Sequence, residues 1–271
     1  MPGGYGDRAT LPGVSTSPQL HGLRFAFGTL SVLPVRVSRW DRGAARGGML
    51  CAPLVGVVIG ALAAGVGLAL LWLGSGALLA AVGSAAVPAV LTRGLHLDGI
   101  ADTADGLGSG KPAEDALRIM KQSDIGPFGV ITLVFVLLGQ VAALARAYDD
   151  SWARGAVATV VAAVVARLAL TLAARAGVPP ARPEGLGAAV AGVVPMGGAV
   201  GVVVAVLVAA GGGGLLTGSY GPVVAVAVAL AASELLLRHC TRRFGGITGD
   251  VFGGLAETAA TTALVVLSFG A

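Results

Sequence analysis

The stretch CAPLVGVVIGALAAGVGLALLWL, residues 51–73, carries no charged side chain. A helix that crosses a bilayer needs about 20 consecutive apolar residues, so this stretch is long enough to do so. Six further apolar stretches follow, and they lie near residues 76–92, 128–146, 154–174, 188–210, 221–237 and 254–270. The pattern predicts an all-α, polytopic integral membrane bundle with about seven transmembrane helices.

The composition of the chain agrees with this class. Of its 271 residues, 55% are hydrophobic and 12% are charged, whereas soluble domains carry about 25% charged residues. The composition therefore excludes a disordered chain and a nucleic-acid-binding protein, since both need more charge and polarity. The 44 glycines follow no Gly-X-Y period, and such small residues allow helices to approach closely within a membrane.

The apolar stretches also suggest how the chain is organised. Residues 1–22 are rich in Gly, Pro and Ser and predict a flexible N-terminal tail, and residues 23–271 predict a single integral membrane catalytic domain. The apolar segment 23–35 is too short to span a bilayer, which favours an interfacial or re-entrant helix. Pro195, together with Gly197 and Gly198, predicts a kink or break in the fifth long stretch.

The basic residues predict an orientation in the membrane. Fifteen of the 18 Lys and Arg residues map to one side of a seven-span arrangement, and the short connections 74–75 and 211–220 on the other side carry none. Because cytoplasmic loops are enriched in Lys and Arg, we expect the N-terminus to be cytoplasmic and the C-terminus to be outside.

Three acids after the second stretch form the first candidate site. Asp98, Asp102 and Asp105 follow an i, i+4, i+7 spacing and would lie within about 60° of arc on a helix. Three carboxylates on one stripe repel each other, and such hard oxygen donors suit Mg²⁺ or Mn²⁺. The alternative is a solvated acidic helix start, since acids are favourable in a first turn.

A second acidic group, made of two residues, lies around the start of the last stretch. Asp250 and Glu257 are seven residues apart, hence on one helical face, and they map to the same membrane side as the first three acids. Two acidic groups on separate helices can hold metal ions for displacement at phosphorus. The sequence thus predicts phosphoryl transfer at the cytoplasmic leaflet, with Mg²⁺ or Mn²⁺ held by Asp98, Asp102, Asp105, Asp250 and Glu257.

Other polar residues on this side are candidates for catalysis and substrate binding. His96 could serve as a general acid or base, or form an ordinary interfacial hydrogen bond. Residues 112–122 predict a short amphipathic helix whose cations could neutralise phosphate or extend to the membrane surface. The candidate catalytic residues are His96 and Asp105, and the candidate substrate-binding residues are Arg93, Lys121, Arg182, Arg242, Arg243 and Thr248. For Arg242 and Arg243, the alternative is that they only mark topology.

Four motifs carry a family resemblance. They are LHLDGIADTADGLGSG at 95–110, IMKQSDIGPFG at 119–129, ARPEGLG at 181–187 and GGITGDVFGGLAE at 245–257. In this order they resemble the cobalamin synthase family, the adenosylcobinamide-GDP ribazoletransferases, and the resemblance covers about residues 23–270. One departure is Gln122, where many family members have an acid, and it puts a ligand role for the nearby Asp124 in doubt.

The resemblance implies a Mg²⁺-dependent enzyme of the inner cell membrane that acts in the last stage of cobalamin nucleotide-loop assembly. It implies that adenosylcobinamide-GDP is joined to α-ribazole or its 5′-phosphate, which gives adenosylcobalamin or its 5′-phosphate and GMP. The expected partners are these two substrates and membrane lipid, without nucleic acid, and a homo-oligomer is left open.

Two rival functions remain to be weighed. CDP-alcohol phosphotransferases also use an aspartate-rich, metal-binding motif at the cytoplasmic face, but DGIADTADG at 98–106 lacks the AR element of their pattern. A cation-coupled transporter would place its acids near the membrane midplane and show inverted repeats. Here the acids map to one face, and no inverted repeat is visible in the sequence.

Overall fold

The computed structural model describes residues 18–269, except for the side chains of residues 18, 216 and 217. Within that range the chain is helical, with two isolated β-bridges and no strand. The helices are α1 (Pro18–Leu30), α2 (Arg42–Trp72), α3 (Ala77–Leu91), α4 (Leu95–Gly108), α5 (Ala113–Ile119), α6 (Pro127–Asp150), α7 (Trp152–Ala173), α8 (Leu186–Val190), α9 (Met196–Thr217), α10 (Gly221–Phe244) and α11 (Gly249–Ser268).

Six of these helices are long and apolar enough to cross a membrane, namely α2, α6, α7, α9, α10 and α11. The pair α3 and α4 passes the same criterion together but is bent by 86°, which raises the number of spans to as many as seven. The predicted all-α membrane bundle with about seven spans is therefore confirmed. Its orientation in the membrane stays a prediction.

Helix α7 lies at the centre of the bundle, and close approach of backbones holds it there. A β-carbon placed on Gly56 of α2 would lie 2.5 Å from the carbonyl oxygen of Ala163 on α7. One turn later, Gly60 meets the Cα of Val160 at 2.9 Å in the same way. These small residues let α2 and α7 pack backbone to backbone. Inside a bilayer the hydrophobic effect does not drive helices together, so their association depends on such close packing.

Helix ends differ from the predicted stretches for physical reasons. Helix α2 begins at Arg42, well before residue 51, because arginines near a membrane surface continue a helix that an apolar pattern misses. Asp41 caps it by accepting hydrogen bonds from the N–H groups of Gly43 and Ala44. The bond from Ala44, with the neighbouring guanidinium of Arg39, lowers the pKa of this carboxyl below its usual range.

Three local predictions concern the segment 23–35, the N-terminal tail and the break in the fifth apolar stretch. Segment 23–35 contributes to α1, a 13-residue helix that is too short to span. Of the predicted tail, residues 1–17 lie outside the described residues, while residues 18–22 are already helical. The predicted break in the fifth stretch is confirmed, because α8 ends at Val190 and α9 begins at Met196 with Pro195 as its N-cap.

The turn between α3 and α4 sets the direction of the acidic stripe. Arg93 and Gly94 both adopt left-handed backbone conformations, with φ of 55° and 71°. Two such residues in succession interrupt the right-handed helix, and the axis turns by 86°. Helix α3 runs beside α2 and α6, so α4 departs across the end of the bundle and packs on α11.

Candidate active site

Helices α4 and α11 meet through two glycines, and this contact brings acids together. A β-carbon placed on Gly99 would lie 2.6 Å from the carbonyl oxygen of Asp250 and 2.9 Å from the Cα of Gly253. Only hydrogen atoms therefore separate the two backbones at this point. As a result Asp98 and Asp102 of α4 stand next to Asp250 of α11.

We call Asp98, Asp102 and Asp250 the acidic cluster. Asp98 is exposed, while Asp102 and Asp250 are half-buried. The negative charge of Asp102 is repelled by the negative charges of Asp98, Asp250 and Asp105. Carboxylates that share a site in this way disfavour each other's ionised form unless a cation compensates. The structure thus brings the two predicted acidic groups together through three of their five members.

Arg182 supplies the nearest positive charge. The loop that carries it pairs with the start of α11, because Ala181 N–H donates to the carbonyl of Ile247 at 2.9 Å. The Arg182 guanidinium then lies 3.6 Å from the Asp250 carboxylate, with only 17% of its side chain exposed. It also donates to the carbonyl oxygen of Leu117 on α5. These contacts fix a guanidinium beside the acidic cluster.

Lys121 and Thr248 lie at the margin of the cluster. Lys121 forms an exposed ion pair with Glu184 at 3.4 Å, and its charge also acts on Asp250. The Thr248 hydroxyl donates to the Asp250 carboxylate at 3.1 Å and accepts from the N–H of Val251 at 3.2 Å. Thr248 is 3% exposed and caps α11, which favours an orienting role. Its predicted contact with substrate stays a prediction.

Asp105 has a different set of partners. Its two carboxylate oxygens accept hydrogen bonds from the N–H groups of Gly126, at 2.7 Å, and Gly129, at 2.9 Å. These groups are the N-cap and a first-turn donor of α6, so Asp105 caps that helix from α4. A β-carbon on either glycine would lie 2.5 Å or less from the Asp105 carboxylate. This geometry favours a structural role, and its predicted metal and catalytic roles stay predictions.

His96 and Glu257 lie away from the acidic cluster. His96 is two residues before Asp98, about 200° around α4, and it is 8% exposed. Glu257 is two turns deeper on α11 than Asp250, about 10.5 Å along the helix axis, where Gln140 donates to it at 2.8 Å. The structure therefore does not bring these two predicted site residues to the cluster, and their functional roles remain untested.

The remaining basic candidates lie on the surface. Arg243 donates to the carbonyl oxygen of Lys111 and stacks on Phe244, 5.9 Å from its ring centroid. Arg93 and Arg242 are exposed, and within residues 18–269 no hydrogen bond or ion pair engages either side chain. All three stay candidates for substrate binding.

The donor set of the acidic cluster fits a magnesium ion. Among the described residues, no three His, Cys, Asp or Glu side chains form a ready-made metal-binding group. Mg²⁺ does not require one, since it usually binds one or two carboxylates and completes its shell with water and substrate phosphates. Asp98, Asp102 and Asp250 provide such carboxylates, with an excess of negative charge that Arg182 alone does not balance.

Two polar residues of the protein interior were not predicted as site residues from the sequence. Arg167 of α7 and Gln140 of α6 lie at the same depth as Glu257 and line one cavity with it. The available signal was the charge of Arg167 within an otherwise apolar stretch, because ionisable residues inside a membrane span are costly and rare.

Comparison with known proteins identifies the family. The sequence profile of the cobalamin-5-phosphate synthase family matches residues 22–268. An adenosylcobinamide-GDP ribazoletransferase of Frankia casuarinae is 44% identical over 261 residues, which cover 90% of this chain and 93% of that protein. Enzymes of the same name from Nocardioides sp. and Bradyrhizobium diazoefficiens are 40% and 35% identical, over 89% and 94% of this chain and 96% of each relative. No solved structure matches significantly. This chain belongs to the cobalamin-5-phosphate synthase family.

Proposed function

We propose that this chain is an adenosylcobinamide-GDP ribazoletransferase, which joins adenosylcobinamide-GDP to α-ribazole or its 5′-phosphate and releases GMP. The family match over residues 22–268 and the shared name of its relatives support this activity. The structural observation that carries it is the contact of α4 with α11, which unites the acidic cluster and Arg182 at one end of the bundle. The product is adenosylcobalamin or its 5′-phosphate.

The reaction exchanges one phosphorus–oxygen bond for another. A ribose hydroxyl of α-ribazole attacks the phosphorus attached to the cobinamide, and the bond to the GMP oxygen breaks. The hydroxyl proton passes to a carboxylate of the acidic cluster, which acts as general base. Asp98 is the most exposed member of this cluster and is the one we assign to this step, since His96 faces away from it.

Asp98, Asp102 and Asp250 would also hold Mg²⁺, with one or two of them as direct ligands at a time. When bound, the ion neutralises charge on the phosphate oxygens and on the departing GMP. Arg182 then orients the diphosphate, because its guanidinium is fixed by Leu117 and Asp250 and can bind two phosphate oxygens at once. Lys121 adds an exposed positive charge at the margin of the cluster.

We further propose that this site faces the cytoplasm. The segments around it carry Lys111, Arg118, Lys121 and Arg182, and 15 of the 18 basic residues map to the same side. Such a bias marks the cytoplasmic side of a multi-pass protein. The two substrates would then reach the site without crossing the inner membrane.

The test is an assay of GMP release by the purified full-length protein in lipid vesicles. We expect release only when adenosylcobinamide-GDP, α-ribazole and Mg²⁺ are all present, and no release from the Asp98→Asn variant. Omission of α-ribazole is the matched control. Turnover of a CDP-alcohol, or cation flux without GMP release, would replace this function with one of the two rival ones.

A further inference from the structure

Arg167 is a charged side chain enclosed within the bundle. It belongs to the central helix α7 and is 2% exposed. Its Nε and Nη2 atoms have no hydrogen-bond partner among the described residues. A buried guanidinium with unpaired donors costs several kcal/mol unless another group satisfies them, so its surroundings must provide for these donors.

Those surroundings contain an acid and a small cavity. A cavity of about 50 Å³ is lined by residues of α3, α4, α6, α7 and α11, and its polar members include Arg167, Glu257 and Gln140. Glu257 and Arg167 act on each other electrostatically. They nevertheless form no direct ion pair, which would require nitrogen and oxygen atoms within 4.0 Å.

The carboxylate is held from its other side. Gln140 Nε2 donates to Glu257 Oε2 at 2.8 Å and to Thr261 Oγ1 at 2.9 Å. Gln140 thereby orients Glu257 and ties α6 to α11. Glu257 and Arg167 both line the cavity, and one water needs about 10–15 Å³ in such a measure. A cavity of about 50 Å³ therefore has room for about three to five waters.

We propose that Arg167 and Glu257 form a buried ion pair bridged by water, and that this pair positions the active site. Water accounts for the two free donors of Arg167, because polar groups too far apart for direct contact are commonly joined by it. Glu257 lies two turns below Asp250 on α11, and α6 is capped by Asp105 of α4. The pair therefore fixes the depth and rotation of α11, and with them the place of Asp250 beside Asp98. This positioning role rests on the proposed function.

A double-mutant cycle tests the pair. The variants are Arg167→Met, Glu257→Gln and the combination, in the full-length protein, with the melting temperature in detergent and the Mg²⁺ concentration for half-maximal activity as readouts. Each single change leaves one buried charge uncompensated, which is more costly than the loss of both. We expect each single variant to melt roughly 5 °C or more below the wild type, and the combination to melt no lower than the worse single variant.

The Mg²⁺ readout separates positioning from mere stability. At a temperature where the variant is fully folded, we expect Arg167→Met to raise the half-saturating Mg²⁺ concentration at least threefold. Arg167→Lys keeps the positive charge and should bring this concentration most of the way back to the wild-type value. Arg154→Met is the control, because Arg154 lies on the same helix but pairs with Asp150 at its far end. An additive cycle, or an unchanged Mg²⁺ response in Arg167→Met, would overturn the proposal. A wild type without GMP release would instead refute the proposed function, while the melting cycle would still decide whether the pair exists.

Discussion

A β-carbon placed on Gly99 would lie 2.9 Å from the Cα of Gly253, so α4 and α11 touch through their backbones at this point. The same placement on Gly253 meets the Cα of Gly99 at 3.0 Å and the carbonyl oxygen of Leu95 at 3.0 Å. Because these neighbours are backbone atoms, they have no side-chain rotamer by which to move away. The distance between Asp102 and Asp250 thus depends on two residues that have no chemistry of their own.

We expect Gly99→Ala to abolish most of the activity although it removes no charge. The added methyl group must push α11 away from α4, which separates Asp250 from Asp98. The measurement is GMP release per folded protein, with the melting temperature as the check of folding. Gly249→Ala is the control, because a β-carbon there meets nothing within 4 Å. Equal activity in the two variants would mean that catalysis does not depend on the close approach of Asp250 to Asp98.

Asp98→Asn and Asp102→Asn should each reduce turnover by at least a hundredfold and weaken its dependence on Mg²⁺. Asparagine keeps the shape of the side chain and removes the charge that would hold the ion. Activity is measured against Mg²⁺ concentration for each purified variant, with Asp149→Asn, an exposed acid at the far end of α6, as the control. Near wild-type turnover with an unchanged Mg²⁺ response would mean that Asp98 and Asp102 are only the solvated acidic start of a helix and bind no ion.

Asp105→Ala should act mainly on stability. It removes the two hydrogen bonds that cap α6, each to a charged acceptor, and we expect a loss of about 2–3 kcal/mol in the free energy of unfolding. Unfolding in detergent measures it, and Asp105→Asn should lose less because it keeps one acceptor oxygen. A fully stable Asp105→Ala variant without activity would restore Asp105 to the catalytic or metal-binding group.

Arg182→Met should raise the KM for adenosylcobinamide-GDP more than it lowers kcat. A group that binds the diphosphate equally in the ground state and the transition state contributes to KM alone. We expect a rise of at least tenfold in steady-state kinetics. Arg118→Met is the charge-matched control, because Arg118 is engaged by Asp115 and Glu114 on the surface of α5. The reverse split would assign Arg182 to the chemical step.

Reporters of topology test the predicted orientation. A reporter inserted at Lys111, between α4 and α5, should be cytoplasmic, and one inserted at residues 74–75, between α2 and α3, should be outside. Alkaline phosphatase and green fluorescent protein fusions distinguish the two sides. Signals from the same side for both insertions would contradict the seven-span order and the cytoplasmic site together.

Much of the fold could be predicted because a bilayer imposes long apolar helices, which are visible in sequence. The acidic stripe was equally accessible, since Asp98, Asp102 and Asp105 follow helical spacing. Spacing gives a shared face and not the neighbour of each side chain. It could not show that Asp105 turns to the amides of Gly126 and Gly129, which depends on how α6 returns past α4.

The interior polar group was harder to predict. Gln140 and Arg167 belong to the consecutive helices α6 and α7, whereas Glu257 lies far along the chain on α11, and each reads alone as an isolated polar residue. Their meeting depends on helix rotation and on contacts between small residues, such as those of Gly56 and Gly60 with α7. The sequence pairing of Glu257 with Asp250 used the correct helical face but ignored the depth that separates them.

The turn of 86° between α3 and α4 has a consequence for how substrates approach. On a helix parallel to the bundle axis, Asp98 and Asp105 would differ in depth by about 10.5 Å, and a ligand would have to thread inward to reach both. Because α4 lies across the bundle end, its residues sit at nearly one level. A bulky corrinoid nucleotide can therefore approach Asp98 and Asp102 from the side, while Asp105 stays turned toward the amides of α6.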